Sequence, residues 1–286
     1  MKNILIDIIV CPECSGELKV NGYNIDCSSC NASYKLIDGI PELLTEKDKK
    51  ELNSEITFSK RYSRSKRVSK LSYMILKQLD KIPIPNLLDA RKINHSKQIE
   101  NAKIILNIGG RSKSRLNKQI NLDVVNNENT DLIGNVENIP LKDNSVDFIN
   151  FVAVLEHIKK PHAAVKEIKR VLKKGGYVHC CAPFYYPYHA DPRDISRFTR
   201  EGLRLLFEDF EETRMKNIHG PTTSALKVFQ IYLPILFSFN SIFIYEIEYI
   251  LFSYILYPFK FLDVFFKYHW KADFISGGFA FLGRKK

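Results

Sequence analysis

The 286 residues include 45% hydrophobic side chains, enough for a packed core and too many for a disordered chain. Lys plus Arg outnumber Asp plus Glu by 43 to 32, a formal charge of +11 that suits a polyanionic partner, whether RNA or an acidic lipid surface. The opening MKNILIDIIV lacks the long apolar run and small-residue cleavage site of a signal peptide, so a cytoplasmic chain is expected, with six cysteines serving as metal ligands or buried thiols.

The first motif is cysteine-based. Cys11 and Cys14 form one CxxC pair and Cys27 and Cys30 another, with twelve residues between them. Two such turns joined by a hairpin aim four thiolates at one tetrahedral zinc, and a site filled by four cysteines serves folding rather than catalysis. A small zinc ribbon is therefore expected over 1–45. The CPEC opening, Tyr34 after the second pair and the GIPELL exit at Gly39–Leu44 resemble the small zinc-ribbon family that partners and stabilises methyltransferases. That likeness implies a protein partner through the ribbon.

From 46 to 101 the composition turns basic and polar, with KRYSRSKRVSK at Lys60–Lys70 and a helical apolar spacing at Leu71, Ile75 and Leu79. We read this stretch as a basic helical linker. From 102 to 221, strand-like runs (KIILNIG, INLDVV, DLIG, VDFINFVAV, YVHCCAP) alternate with helical patterns over Pro161–Leu172 and from Thr199, a doubly wound, parallel α/β sheet. Adjacent Cys180 and Cys181 should face opposite sides of a buried strand.

The ordered pieces Ile139-Pro140-Leu141 with Asp143-Asn144-Ser145-Val146-Asp147, then VLEHIKKP, then EIKRVLKKGGYV resemble the small-molecule class I methyltransferases. The resemblance implies a Rossmann-like sheet and S-adenosyl-L-methionine as cofactor. It assigns Asn107, Gly109 and Gly110 to the glycine-rich cofactor loop, where Arg111 and Lys113 replace later glycines. Asp123 would accept the ribose hydroxyls, and Asn135 and Val136 would meet the adenine through side chain and backbone respectively. Gly175-Gly176 gives a sharp lead into the fifth strand. Loops beyond the carboxyl ends of parallel strands hold ligands, which makes His189, His157 and Asp194 the catalytic candidates; Asp194 with Arg197 is equally an ion pair.

Between 222 and 270 lies a hydrophobic helical insertion: residues 228–245 and 249–259 are uncharged, separated by Glu246 and Glu248, and interrupted by Pro234 and Asn240-Ser241. Those breaks and the many aromatics read as a hairpin lying in a membrane interface, with Lys260, Lys267 and the terminal Arg284-Lys285-Lys286 toward anionic lipid. The alternative is a buried helical pair. Residues 271–286 supply the last strand and a basic tail. The region PFYYPYHADPRDISRFTREGLRLLF resembles methyltransferase-like proteins of surface-polysaccharide assembly, which implies a saccharide or lipid-linked saccharide acceptor at the inner face of the cell membrane. Two other readings stay open: an RNA methyltransferase with a zinc module, and a non-catalytic adaptor in a polysaccharide assembly complex.

Overall fold

The computed structural model describes residues 2–65, 95–109, 117–188, 193–266 and 268–286. After a single helical turn, α1 (Asn3–Ile6), four short strands form an antiparallel meander: β1 (Leu18–Asn21), β2 (Asn24–Cys27), β3 (Ser33–Ile37) and β4 (Ile40–Leu43). The meander is not a separate lobe. β4 pairs in parallel with β7 (Leu132–Gly134), Glu42 opposite Ile133 and Leu43 opposite Gly134.

The central strands β5 (Ile105–Ile108), β6 (Gln119–Asp123), β7, β8 (Val146–Val152) and β9 (Leu172–Pro183) are parallel, in the order β7-β6-β5-β8-β9. β11 (Gly278–Lys285) runs antiparallel to β9 and to the outer β10 (Phe210–Asn217). The order reverses between β5 and β8, the switch point at which open α/β sheets bind ligands.

Both faces are covered. Leu106, Ile149 and Cys180 belong to one apolar cluster, with Ala164, Val165, Ile168 and Val171 of α4 (Pro161–Val171) and Leu203 and Leu206 of α5 (Arg200–Leu206). Their neighbours Ile105, Phe148 and Cys181 belong to the other, beside α3 (Ser96–Asn101). This is the period-two alternation of a sheet buried on both sides, and it separates the adjacent cysteines as expected. Thr199 caps α5 by accepting from the Gly202 amide at 3.0 Å.

Two local readings change. β9 begins at Leu172, ahead of Gly175-Gly176. The register with β8 slips between Val146↔Leu172 and Phe148↔Tyr177, so the glycines form a bulge inside the strand. A Cβ on Gly176 would stand 2.9 Å from the carbonyl oxygens of Asp147 and Lys173. The basic tail is mostly strand: Arg284 and Lys285 lie in the β10–β11 ladder, and Lys285 Nζ donates to the Leu172 carbonyl. These two residues lie at the end of β11 opposite Gly278, where the insertion joins the strand. The apolar spacing at Leu71, Ile75 and Leu79 and Lys267 lie outside the described residues.

Between β10 and β11 the chain forms the helical hairpin α6 (Pro221–Phe237) and α7 (Ile242–Leu256), then a 3₁₀ turn (Tyr257–Leu262) and α8 (Asp263–Phe266). Asp263 is buried and caps α6 from a distance: its carboxylate accepts from the Thr222 amide (2.7 Å), the Thr223 amide (2.9 Å) and the Thr223 hydroxyl (2.5 Å). The charge sits where a helix N-terminus favours it. A Cβ on Gly220 would come 2.3 Å from Asp263 Cγ, so glycine admits the cap.

Asp263→Ala removes hydrogen bonds to a charged acceptor and should cost about 2 kcal/mol, read as a lower midpoint in thermal melts; an unchanged melt would refute the capping role. A second expectation concerns His179 of β9, buried with Nδ1 3.0 Å from Asn150 Oδ1 and Nε2 3.4 Å from Cys181 Sγ. Burial, with His95 adding repulsion, holds its pKa down to about 4 against 6.5 for an ordinary imidazole. The unfolded chain takes up this proton first, so the stabilisation is complete above pH 6.5 and is lost as pH falls toward 4, roughly 3 kcal/mol in all. Urea melts across that range should show a smaller loss in His179→Gln than in the parent.

Candidate functional site

The four cysteines converge. Their Sγ atoms lie within 4.8 Å of one another, with Cys11–Cys30 at 3.6 Å and Cys14–Cys27 at 3.5 Å. Tetrahedral zinc with Zn–S near 2.3 Å needs sulfurs about 3.8 Å apart, and the cluster fits. The two knuckles repeat one geometry. The Cys11 amide donates to the Gly16 carbonyl and the Cys27 amide to the Ala32 carbonyl, while Ser15 and Asn31, each following its second cysteine, take positive φ. The Ser29 amide on Cys27 Sγ helps draw that thiol down to about 6, favouring the thiolate a metal needs. Tyr34 packs its hydroxyl 3.2 Å from Cys11 Sγ, where burial raises the phenol's pKa.

A cleft of about 540 Å³ opens at the carboxyl ends of β5 to β8. Gly109, Asp123, Asn135, Val136 and His157 all line it, drawn from the ends of four strands, β5 to β8, or the turns that follow them. Gly109 takes φ +68°, and a Cβ there would meet Val154 Cγ2 at 2.3 Å. Asp123 is oriented by its own turn, accepting from the Val125 amide (3.2 Å) and the Asn127 side-chain amide (3.0 Å). Asn107 is absent from this wall; it lies in β5 and bridges to β6, donating to Asn121 Oδ1 at 2.9 Å. Gly110, Arg111 and Lys113 lie outside the described residues, as does His189.

The opposite wall comes from the stretch we read as a linker. From α2 (Glu46–Ser65), Asp48, Glu51 and Leu52 line the cleft, joined by Leu44 at the end of the ribbon. Thr45 and Asp48 form a reciprocal cap: the Asp48 amide donates to Thr45 Oγ1, and the Thr45 amide and hydroxyl donate to Asp48 Oδ2. The other Asp48 oxygen accepts from Asn135 Nδ2 at 2.6 Å. The Asn135 side chain thus holds α2, whereas the sequence reading turns it toward a ligand. The T-x-x-D capping spacing after GIPELL was the available signal for this helix.

On the far side, the 3₁₀ turn Leu155–His157 carries His157 into the cleft. His157 Nδ1 is hydrogen-bonded to the Arg193 carbonyl, which can only accept, so the neutral ring has Nδ1–H and its lone pair on Nε2. Glu156 is buried, and burial raises its carboxyl pKa; its carbonyl accepts from the Ile195 and Ser196 amides. Asp194, whose side chain is also buried, is ion-paired with Arg197 and does not line the cleft. Arg197 also donates to the Pro187 carbonyl at 3.3 Å. The segments after β8 and β9 are thereby stitched together.

The strand order and the cleft define an α/β protein of the class I methyltransferase type, and residues 111–180 match the family described as Methyltransferase domain. That match begins just beyond Gly109-Gly110. The amino-terminal ribbon is 41% identical over 46 residues to a UPF0434 protein of Yersinia enterocolitica, covering 15% of this chain and 77% of that one. Through this segment the chain belongs to the UPF0434 family. It is also 47% identical over 49 residues to an uncharacterized methyltransferase of Schizosaccharomyces pombe, a match that spans 17% of this chain and 17% of that relative. Among solved structures, a Burkholderia thailandensis 1,6-didemethyltoxoflavin-N1-methyltransferase aligns over 94% of this chain and 98% of its own, at 10% identity and a TM-score of 0.45.

Because β4 delivers Thr45 to the cleft wall, stripping the metal should act beyond the ribbon. A chelator strong enough to remove zinc is expected to lower the melting temperature and to weaken S-adenosylmethionine binding by calorimetry. Unchanged binding by the metal-free protein would show that α2 holds its place without the ribbon.

Proposed function

We propose that the protein transfers a methyl group from S-adenosylmethionine to a saccharide or lipid-linked saccharide acceptor at the cytoplasmic face of the cell membrane, as a peripheral enzyme. The observation that carries the reading is the convergence of Gly109, Asp123, Val136 and His157, from four strand ends, on one cleft next to the switch point. The apolar hairpin supports the membrane-side location, and the basic charge an anionic surface.

The residues present suit the cofactor. Asp123 would take the ribose hydroxyls, an acidic strand end being the usual partner of a cofactor ribose. Val136 is apolar and buried in the wall, suited to a purine face, and Gly109 supplies the left-handed turn at the cleft that glycine takes without strain. When bound, the cofactor supplies a sulfonium methyl carbon open to displacement. Transfer demands alignment first. For a hydroxyl acceptor, His157 Nε2 would receive the proton as the acceptor oxygen bonds to the methyl carbon and the carbon–sulfur bond breaks, releasing S-adenosylhomocysteine. Asp194 and Arg197 position the segment whose Arg193 carbonyl holds the imidazole.

Asp123→Ala should weaken S-adenosylmethionine binding roughly tenfold to a hundredfold, the value of about one hydrogen bond to a charged acceptor. His157→Ala should leave that binding intact and lower transfer of labelled methyl into membrane lipid extracts by about two orders of magnitude or more. Folded, zinc-loaded protein that binds no S-adenosylmethionine would sink the enzyme reading in favour of an adaptor, and label entering RNA would favour the RNA methyltransferase.

A further inference from the structure

The hairpin and the acceptor-side segment share one root. β10 ends at Asn217 and β11 begins at Gly278, which pairs with Pro183, the last residue of β9. The insertion therefore leaves the sheet at the carboxyl edge of β9, the edge on which the cleft opens. Beyond the sheet the ladder continues: the Phe184 amide donates to the Gly277 carbonyl (3.0 Å) and the Tyr185 amide to the Ser276 carbonyl (3.1 Å). The Tyr186 ring stacks on His219, with centroids 6.2 Å apart. The root itself is closely fitted. A Cβ on Gly277 would stand 2.8 Å from His219 Cδ2, and Arg200, Asn217 and Asp273 are mutually bonded at 2.7 to 3.1 Å. From Pro187 the frame runs through Arg197 and Asp194 to the Arg193 carbonyl on His157.

The rest of the hairpin has an open apolar surface. Phe229, Tyr232 and Leu236 on α6, and Phe243, Ile247 and Leu251 on α7, recur at helical spacing and are exposed, and Phe239 at the tip is 87% exposed. Among the described residues one helical stretch, Ile242–Phe266, is long and apolar enough to cross a membrane by length and composition, and 6% of its most apolar window is buried. Water does not tolerate a patch of this kind cheaply. The charge around it says what covers it. Lys260 lies over the Tyr257 ring at 5.9 Å and Lys271 over Trp270 at 4.6 Å, beside exposed Tyr268, whereas the acidic Glu246 is buried. Lysines with exposed tyrosine and tryptophan match an anionic headgroup layer.

We propose that the hairpin and residues Phe184–Tyr188 form a single bilayer-facing entrance: seating the hairpin in an anionic leaflet orders this segment beside His157, and the acceptor enters from the lipid side by its own anchor. This rests on the methyl-transfer reading for its substrate and on the root geometry for its mechanics. The acceptor class is a membrane-embedded, lipid-anchored molecule.

Hydrogen–deuterium exchange of the full chain, with zinc bound, tests the coupling on vesicles of mixed phosphatidylcholine and phosphatidylglycerol against phosphatidylcholine alone. Exchange at Tyr185–Tyr188 should slow roughly tenfold on the anionic vesicles only. The comparison protein carries Phe239→Asp and Ile242→Asp. Phe239 has positive φ, which Asp tolerates, and Ile242 opens α7, where a carboxylate is favoured, so the fold is preserved. It should bind S-adenosylmethionine like the parent, yet neither float with vesicles nor show the slowing. Flotation of the parent with no change at Tyr185–Tyr188 overturns the coupling. Equal effects on neutral vesicles overturn the anionic surface, and a lipid-free dimer that hides the hairpin overturns the bilayer as its occupant. Loss of S-adenosylmethionine binding in the parent strikes the methyl-transfer reading instead, and the exchange result stands apart from it.

Discussion

Two parallel backbone rungs, Glu42 with Ile133 and Leu43 with Gly134, join the metal ribbon to the sheet, and the cofactor side of the molecule depends on them. A forty-residue ribbon has too little core to hold itself, so four thiolates on one metal set its shape. The last strand of that shape ends at Leu43, one residue before the cleft lining begins and two before the Thr45 cap. From there the order is determined by short-range chemistry: Thr45 and Asp48 start α2, Asp48 takes Asn135, and α2 walls the cleft. The ribbon is further pinned at its beginning, where Lys2 Nζ reaches Asp131 and the Gln119 carbonyl at 2.8 Å, and the Val10 amide donates to Pro140.

This arrangement bears on the expected protein partner. An edge strand offers unpaired amides and carbonyls to whatever lies beside it. In this chain the neighbour of β4 is its own β7, so that edge of the ribbon is occupied within the molecule, and the remaining outer edge is the short, mostly exposed β1.

What was legible in the sequence was local chemistry and period. The cysteine spacing identifies the ligands without reference to the rest of the fold, because a CxxC turn is closed by its own backbone. Alternating apolar residues gave the strands and placed Cys180 and Cys181 on opposite faces. The insertion showed itself as an uncharged run between two strand patterns. What failed to show was contact across long separations: Asn135 meets Asp48 87 residues away, and no periodicity announces such a bond. Residues 46–101 looked like linker since α2 is polar along most of its length, although Asp48, Glu51 and Leu52 of its first turns line the cleft. The bulge at Gly175-Gly176 and the strand character of Arg284 and Lys285 were hidden for the same reason; a register is a property of two strands, and one strand's composition does not contain it.

The sheet's direction explains why the hairpin can serve the acceptor side without any added element. β5 to β9 point their carboxyl ends toward the cleft. β10 runs the same way, and β11 must reverse to pair with both β9 and β10. The connection between β10 and β11 is therefore obliged to lie on the cleft edge, next to the segment leaving β9. An apolar insertion in any crossover that returns a strand to its starting edge would have one end on the wrong side of the sheet. Placed here, both ends of the insertion emerge on the right side, the Asp263 cap closes them on each other, and Gly277 and Ser276 pair with Phe184 and Tyr185 before β11 re-enters the core.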